Sequence, residues 1–216
     1  MKKKAEKTQF FSEGTGKFYQ LLPTRTVPAL RINAVPMHRF AKIDPKEHTA
    51  RIIEAAKPHG KVLDICTGLG YSAIACAKKN EVRKVVTIEI DEQVIAIAKM
   101  NQASKALFEN KKIAQIIGDA ALEISNFADF EFDCIISDPP TFTMATELYT
   151  PKFYSELFRV LKKSGTLWHY AAEPGKAGVK KDPKKLGLNI AKKLEEAGFI
   201  GVQIDGKSTG VVARKN

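Results

Sequence analysis

From Lys61 to the end of the chain, short β-branched runs alternate with longer amphipathic stretches. This alternation is typical of βαβ units, in which strands pair in parallel and helices cross over between them. The pattern predicts strands at 61–65, 84–89, 112–117, 132–137, 166–170, 198–204 and 210–214. It predicts helices at 71–79, 91–105, 120–126, 151–162 and 184–197.

The alternation ends at the last two predicted strands, which are joined only by the short polar stretch Gly206 to Thr209. A connection of this length indicates a hairpin and not a crossover helix. We therefore expect an α/β fold: a Rossmann-like αβα sandwich with a seven-stranded, mostly parallel sheet and an antiparallel C-terminal hairpin strand.

Residues 1–58 do not follow the βαβ rhythm and predict a small β-rich N-terminal extension, with the α/β domain at 59–216. Within the extension, Asp44 followed by Pro45 predicts the N-cap and first residue of a helix that runs to about Lys57. Glu47, three residues after Asp44, completes the pattern of a capping box.

The charge distribution adds a candidate partner. Residues 1–60 hold 12 Lys/Arg against 5 Asp/Glu, net +7; residues 61–160 hold 11 against 14, net −3; residues 161–216 hold 12 against 5, net +7. Basic ends suit a nucleic-acid partner because lysine and arginine neutralise phosphates. A lysine-rich solvated surface is the alternative explanation.

The chain has no apolar run long enough to span a membrane, and no apolar segment follows its basic N-terminus as in a signal peptide. Cys66, Cys76 and Cys134 are odd in number and lack CxxC spacing, which argues against disulfides and zinc. We expect a cytoplasmic protein with no membrane partner and no metal, and the oligomeric state stays open.

The densest chemical signal is a strand, a glycine turn and a helix start between Val62 and Ala73. Glycine lets the backbone approach a ligand closely, and a helix N-terminus offers free N–H groups. The glycines and Ala73 also match the dinucleotide fingerprint, and Glu89 lies about 20 residues further on, as that fingerprint requires. The turn alone therefore leaves the ligand open.

Asp64 bears on the choice between a dinucleotide and another ligand. A carboxylate at the end of the first strand of the α/β domain would repel the pyrophosphate of a dinucleotide in a partly dry site. S-adenosylmethionine has no phosphate and carries an ammonium and a sulfonium group, both of which a nearby carboxylate favours.

With its acidic residue followed by a glycine turn, the sequence resembles the class I S-adenosylmethionine-dependent methyltransferases. Cys66 replaces the first of the family's alternating glycines, while Gly68 and Gly70 are kept. The resemblance implies S-adenosyl-L-methionine as the cofactor. It implies cofactor contacts at Asp64, Cys66, Thr67, Gly68, Gly70, Tyr71, Glu89, Ile90, Asp119 and Ala120.

Carboxylates follow successive predicted strands in the order that the family requires. Glu89 ends the second strand, where both of its oxygens could accept ribose hydroxyls. Asp119 matches the family's acceptor for the adenine amino group, and Asp138 begins its catalytic motif. Each has a structural alternative, since Asp119 could cap a helix and Asp138 could belong to a turn. Their joint occurrence favours a ligand site, because ligands of open α/β sheets bind outside the carboxyl ends of the strands.

The predicted catalytic residues are Asp138, Pro139, Pro140 and Phe142. In related enzymes, Asp/Asn-Pro-Pro followed by an aromatic residue methylates a planar amino nitrogen. The side chain and the first proline's carbonyl accept hydrogen bonds from the amino group, and the aromatic ring stacks on the acceptor. Here Thr141 takes the aromatic's place and Phe142 comes one residue later. Asp138 could alternatively act as a general base toward another nucleophile.

Across nearly the whole chain, the stretches CTGLGYSA, SDPPTF, ELYTPKFYSELFRVLK and HYAAEPGK are similar to a family of predicted archaeal methyltransferases related in fold to spermidine synthases. This resemblance implies the same cofactor site and leaves the acceptor open. We expect methyl transfer to an amino nitrogen of RNA. The alternatives are a methyltransferase or aminopropyltransferase for a small molecule or protein side chain, a nicotinamide-dependent oxidoreductase, and a non-enzymatic nucleic-acid-binding module.

Weaker candidates surround this predicted site. His169 ends the fifth strand of the domain, where a core histidine is the expected role. The basic, glycine-spaced loop 173–181 could touch phosphate, or be a solvated loop. Arg25 and the segment Met37 to Arg39 in the extension are candidates for acceptor binding.

Overall fold

The computed structural model describes residues 8–41, 43–171 and 183–216. The chain begins with a four-stranded antiparallel meander of β1 (Gln9–Ser12), β2 (Lys17–Leu22), β3 (Ala29–Ile32) and β4 (Val35–Pro36). One face of this N-terminal sheet buries Tyr19, Leu21 and Leu30 against Leu69 of the glycine turn. The predicted β-rich extension is therefore confirmed.

Helix α1 (Pro45–Ala56) begins and ends as its sequence predicts. The Asp44 carboxylate accepts the N–H of Lys46 at 3.1 Å, and Lys57 ends the helix in a left-handed conformation with φ 51°. The predicted capping box does not close, because Glu47 pairs with Arg51 at 2.7 Å one turn further on. Helix α1 packs on the central sheet, and the domain division at residue 58 stays a prediction.

The central sheet contains β5 (Gly60–Ile65), β6 (Val82–Glu89), β7 (Ile113–Ile117), β8 (Phe132–Ser137), β9 (Leu161–Tyr170), β10 (Ile200–Asp205) and β11 (Gly210–Arg214). Their spatial order is β10-β11-β9-β8-β5-β6-β7. Strands β5 to β9 pair in parallel, and β11 runs antiparallel to both of its neighbours, β9 and β10. This is the predicted Rossmann-like sheet with its C-terminal hairpin.

The remaining helices are α2 (Tyr71–Ala77), α3 (Glu92–Lys99), α4 (Lys105–Glu109), α5 (Ala120–Glu123), α6 (Pro151–Val160) and α7 (Pro183–Glu196). The single helix predicted over 91–105 is wrong. The chain leaves α3 after Lys99, and Asn101 starts a short 3₁₀ turn by accepting the N–H of Ala103 at 3.2 Å. Asparagine favours such caps over helix interiors.

The two faces of the central sheet form separate cores, because successive side chains of a strand point to opposite faces. Leu63, Ile135 and Leu167 pack against the side of α6 and α7. Val62, Cys134, Ile136 and Trp168 pack against the side of α1 and α2. Strand β9 starts five residues earlier than predicted, since the fully buried Leu161 already pairs with Phe132.

Within the described ranges, no helix is both long and apolar enough to cross a bilayer.

Candidate active site

Four carboxylates lie along one edge of the central sheet. Asp64 is the second-last residue of β5, Glu89 ends β6, Asp119 lies two residues beyond β7, and Asp138 directly follows β8. These strands are parallel neighbours, so their carboxyl ends meet at the same edge. This edge is where open α/β sheets bind ligands.

The glycine turn after β5 is held by hydrogen bonds to the neighbouring strand. The N–H groups of Cys66 and Thr67 both donate to the carbonyl of Ile88, each at 3.0 Å. Gly70 has φ 77°, and a Cβ atom there would lie 2.7 Å from Leu107, so a side chain does not fit. The shape of the turn is therefore held by hydrogen bonds and packing within the protein.

Cys66 keeps the backbone shape of the glycine that it replaces. Its φ is 68°, and Gly68 follows with φ 54°. This left-handed conformation costs a residue with a side chain about 1–2 kcal/mol. The Cys66 side chain packs against the core on the α6 side, and burial raises the pKa of its thiol well above the ordinary value. A neutral thiol suits packing and not nucleophilic attack.

Asp64 is fully buried beneath the turn. One carboxylate oxygen accepts the Thr87 hydroxyl at 2.6 Å, and the hydroxyls of Thr87 and Thr67 are also 2.6 Å apart. The other oxygen, Oδ1, is buried and has no hydrogen-bond partner among the described residues. Burial raises the pKa of Asp64 to about 6, against the lowering effect of the hydrogen bond from Thr87. A buried carboxylate at this place favours a positive charge nearby over a phosphate.

Glu89 is 9% exposed, and its carboxylate closes the turn from the side of β6. Oε2 accepts the N–H of Gly68 at 2.9 Å, and Oε1 accepts the N–H of Asp91 at 3.1 Å. Burial raises the pKa of Glu89, and these two hydrogen bonds act in the opposite direction. Each carboxylate oxygen has a second lone pair for a ribose hydroxyl. The Gly68 N–H already donates to Glu89 and is therefore not available to a pyrophosphate, which the Glu89 carboxylate would also repel.

The far end of the edge contains Ile90, Asp119 and Ala120. Ile90 is 64% exposed and Ala120 is buried. Asp119 caps α5 by accepting the N–H of Ala121 at 2.8 Å, which is the structural role that the sequence left open for it. Contacts of these three residues with an adenine ring stay a prediction.

Tyr71 has a structural role that sequence reasoning missed. Its hydroxyl donates to the Pro28 carbonyl in the N-terminal sheet at 2.8 Å and accepts from the Asn101 amide at 2.9 Å. Asn101 also donates to Ser104 at 2.8 Å, and the Ser104 hydroxyl donates to the Leu69 carbonyl at 2.7 Å. This chain of hydrogen bonds links the N-terminal sheet to the glycine turn. Direct contact of Tyr71 with a cofactor stays a prediction.

The backbone of Asp138 is fixed by a hydrogen bond, whereas its carboxylate accepts none from the described residues. Its N–H donates to the Ile65 carbonyl at 3.1 Å, which joins the ends of β8 and β5. No side chain or amide in the described ranges donates a hydrogen bond to its partly exposed carboxylate. Burial, followed by the charge of Asp64, raises the pKa of Asp138 to about 7. Such a group can accept a proton near neutral pH.

Tyr149 positions the loop that follows Asp138, and sequence reasoning did not single it out. Its hydroxyl donates to the Pro140 carbonyl at 2.8 Å. Its ring centroid lies 5.6 Å from that of Phe142 in an edge-to-face arrangement and 5.1 Å from that of His169. Pro139 is buried, whereas Phe142 is 42% exposed. The predicted catalytic residues thus form a braced loop that ends in an exposed aromatic ring.

His169 is a buried histidine with both ring nitrogens occupied, which matches the expected core role. Nε2 lies 3.1 Å from the Tyr154 hydroxyl, and Nδ1 lies 3.3 Å from the Ser137 carbonyl. Burial lowers the pKa of His169 to about 4. The ring is therefore neutral at physiological pH and supports the aromatic cluster around Tyr149.

The candidate acceptor-binding residues of the N-terminal extension have different surroundings. His38 accepts the Leu30 N–H at 3.1 Å and lies over the Tyr71 ring at 5.4 Å, so it packs inside the structure. Arg25 lies 3.7 Å from Glu47 on the surface. Acceptor binding by Arg25 and by Met37 to Arg39 stays a prediction, and the predicted loop 173–181 lies outside the described residues.

Across the part of the chain that the structure describes, no three histidine, cysteine or acidic side chains are arranged to hold a metal ion. A metal-independent reaction stays a prediction.

Comparison with known proteins agrees with this geometry. Residues 43–178 match the family model of the methyltransferase small domain. The chain therefore belongs to the methyltransferase small domain family, and it has the fold of class I S-adenosylmethionine-dependent methyltransferases.

The chain is 42% identical over 200 residues to an uncharacterized protein of Methanocaldococcus jannaschii, covering 92% of this chain and 67% of that protein. It is 32% identical over 118 residues to a polyamine aminopropyltransferase of Prochlorococcus marinus subsp. pastoris, covering 52% of this chain and 41% of that enzyme. It is 31% identical over 128 residues to a polyamine aminopropyltransferase of Saccharolobus islandicus, covering 57% and 42%. The chain spans less than half of these two enzymes.

Among solved structures, a spermidine synthase in complex with the transition-state analogue AdoDATO has a TM-score of 0.75 at 18% identity, covering 96% of this chain and 73% of that one. The spermidine synthase of Thermotoga maritima has a TM-score of 0.70 at 17% identity, covering 95% and 70%. These similarities show the fold. Together with the family, they identify the protein as an enzyme of the S-adenosylmethionine-dependent transferase type.

Proposed function

We propose that the protein transfers a methyl group from S-adenosylmethionine to an amino nitrogen of a planar acceptor, and that the acceptor is an RNA base. The observation that carries this proposal is Asp138, which lies at the edge where the family binds its cofactor. Its carboxylate has no donor among the described residues and a pKa of about 7. This partly exposed carboxylate is therefore free to accept hydrogen bonds from a ligand.

The cofactor half of the site fits S-adenosylmethionine. The unpaired Oδ1 of Asp64 favours a cationic group, and Glu89 offers lone pairs for the ribose hydroxyls. Gly68 has open space where a Cβ atom would stand, so a ligand can approach its backbone. When bound, the cofactor supplies an electrophilic methyl group on a positively charged sulfur.

The acceptor half orients an amino group. The Asp138 carboxylate and the Pro139 carbonyl accept hydrogen bonds from the two N–H bonds, which directs the nitrogen lone pair out of the plane of the acceptor. Holding the lone pair in this direction is mainly a positioning effect. With a pKa of about 7, the Asp138 carboxylate can also take the proton that the nitrogen releases on methylation.

The RNA part of the proposal is supported by the charge distribution. Net charges of +7 at each end of the chain flank an acidic middle segment. Lysine and arginine side chains at the ends would bind the phosphate backbone, and the target base would be extruded toward Asp138.

The test is transfer of tritium from methyl-labelled S-adenosylmethionine into total RNA, total protein and a small-molecule extract of the same cells. We expect label in RNA, recovered as an N-methylated base after digestion. Label confined to protein or to small molecules would overturn the RNA acceptor and leave methyl transfer intact. No labelled product in any fraction would contradict methyl transfer itself.

Aminopropyl transfer is the second candidate, because two of the named relatives are polyamine aminopropyltransferases and the fold is that of spermidine synthases. The carboxylates of Asp64, Glu89 and Asp138 also suit a cationic amine. The basic ends of the chain disfavour a polycationic acceptor. Incubation with decarboxylated S-adenosylmethionine and a diamine distinguishes the two reactions. Formation of methylthioadenosine would support aminopropyl transfer, and formation of S-adenosylhomocysteine from S-adenosylmethionine supports our proposal.

A further inference from the structure

A concavity lies between the loop that follows Asp138 and helix α7. Its volume is about 400 Å³, within the range that small-molecule sites occupy. One wall carries the exposed ring of Phe142, with the buried Tyr149 and Tyr154 packed behind it, and the other wall consists of the α7 residues Leu186, Asn189 and Ile190. We call this concavity the α7 cleft.

The α7 cleft is continuous with the catalytic loop through two shared residues. Tyr149 donates to the Pro140 carbonyl at 2.8 Å, and its ring packs edge-to-face with Phe142. Phe142 is 42% exposed, so part of its ring surface is available to a ligand. A ring that stacks in the cleft therefore lies beside the loop that presents Asp138.

The rim of the α7 cleft carries two lysines and one carboxylate. The Lys193 ammonium donates to the Tyr149 carbonyl at 2.9 Å, which fixes a positive charge next to the aromatic wall. The Lys192 ammonium is 77% exposed and lies 3.8 Å from the Glu196 carboxylate. The rim has an excess of one positive charge, and an exposed ion pair of this kind contributes little stability. Lys192 can therefore exchange its partner for an anionic ligand.

We propose that the α7 cleft is the acceptor site and binds a planar heteroaromatic ring that carries a phosphate, as in a nucleotide. The ring packs against the exposed surface of Phe142, and the phosphate pairs with Lys192 and Lys193. Stacking of a base on an aromatic side chain contributes about 1–3 kcal/mol, and lysines bind phosphate as point charges. This inference rests on the proposed methyl transfer and names the chemical class of its acceptor, whether free or within RNA.

The ring-binding part is tested by filling the cleft. Asn189 is an exposed residue that lines it, and its neighbour Leu188 is 57% exposed and does not. We measure binding of the four nucleoside 5′-monophosphates and of a single-stranded RNA oligonucleotide to the protein saturated with S-adenosylhomocysteine. Asn189→Trp should weaken binding of the preferred ligand at least tenfold, and the matched control Leu188→Trp should change it less than twofold.

The phosphate-binding part is tested by reversing one charge. Lys192→Glu should weaken a monophosphate about fivefold or more relative to its parent nucleoside, because opposite charges that are partly exposed contribute about 1 kcal/mol. Lys152→Glu, an exposed lysine on α6 that does not line the cleft, is the control. An unchanged ratio of the two affinities in Lys192→Glu would overturn the phosphate contact.

The two kinds of ligand in the binding experiment, monophosphates and the oligonucleotide, distinguish a free nucleotide from RNA as the acceptor. Binding of monophosphates that depends on the cleft supports a free nucleotide, and cleft-dependent binding of the oligonucleotide alone supports RNA. If no nucleotide or oligonucleotide binding depends on Asn189, the α7 cleft is not the acceptor site. Methyl label in RNA from the wild-type protein would then leave the proposed function standing, and its absence as well would remove both.

Discussion

The two halves of the site differ in how deeply their residues are buried and in how firmly the backbone is held. On the cofactor half, the turn from Cys66 to Gly70 is held by amide bonds to Ile88, and the Gly68 amide bonds to Glu89. On the acceptor half, the Asp138 carboxylate has no donor in the described ranges, and Phe142 is 42% exposed. The backbone of the proposed cofactor half is thus held by the protein's own hydrogen bonds. The acceptor half offers a partly exposed carboxylate and an exposed ring to a ligand.

The N-terminal sheet belongs to the cofactor half. Leu69, in the middle of the glycine turn, is fully buried against Tyr19 and Leu30 of that sheet. The Tyr19 hydroxyl donates to Asp91 at 2.8 Å, just beyond Glu89. The extension therefore stabilises the cofactor turn from outside the αβα core.

The largest effect should come from the acceptor half. Asp138→Ala removes the carboxylate that orients the amino group and should lower kcat roughly 10²–10⁴-fold. Affinity for S-adenosylhomocysteine should stay within about tenfold of wild type, because the cofactor half is intact. Single-turnover methylation and calorimetry measure the two effects. Loss of cofactor binding in this variant would show that Asp138 belongs to the cofactor half.

The next largest effect should come from Glu89, with the opposite split. Glu89→Ala removes a carboxylate that holds the Gly68 amide and that we propose binds the ribose, and each hydrogen bond to a charged group contributes about 1.5–3 kcal/mol. We expect affinity for S-adenosylhomocysteine to fall about 10- to 100-fold. Glu92→Ala, an exposed acidic residue at the start of α3, is the control. Equal losses in the two variants would mean that the effect is one of net charge.

A pair of Tyr→Phe variants compares the halves at the level of single hydroxyls. Tyr71→Phe breaks the link to Pro28 and Asn101, and Tyr149→Phe breaks the link to Pro140. A hydrogen bond contributes about 1 kcal/mol, or roughly fivefold. Tyr71→Phe should weaken S-adenosylhomocysteine binding and speed amide exchange in β2 and β3, with the saturated rate kept. Tyr149→Phe should lower the saturated rate with cofactor affinity kept, and the reverse result would refute the division.

The smallest effect concerns stability. The pKa of Asp138 is raised from 3.8 to about 7 in the folded protein. The folded state therefore holds a proton that the unfolded state has lost, and stability falls as pH rises between these values. Asp138→Asn removes this effect and should raise the melting temperature at pH 8, by roughly 2–4 °C for each kcal/mol relieved. The gain should shrink as the pH falls toward 5 and disappear only near pH 3.8, and a gain that is the same at pH 8 and pH 5 would contradict the raised pKa.

The sequence was sufficient where local patterns determine structure. Asp44-Pro45 predicted the start of α1, and the alternation of β-branched and amphipathic runs predicted the parallel sheet. The four carboxylates could be placed at one edge because parallel strands end together. The break after Lys99 was missed because Asn101 starts a new turn through its side chain, bonding Tyr71 and Ser104, which helical periodicity does not reveal.

Tyr71 and Tyr149 show the same limit within the site. Both follow recognisable motifs, but their hydroxyls bond to the carbonyls of Pro28 and Pro140, 43 and 9 residues away. Only the folded chain brings these atoms together. The unpaired oxygen of Asp64 is likewise visible only once its neighbours are placed.

Titration calorimetry with S-adenosylhomocysteine and, separately, with NAD is the most direct measurement. A cofactor half with unpaired Asp64 and paired Glu89 predicts a saturable one-to-one heat with S-adenosylhomocysteine and none with NAD. Binding of NAD, with no heat from S-adenosylhomocysteine, would contradict the assignment of this edge to a phosphate-free, cationic cofactor.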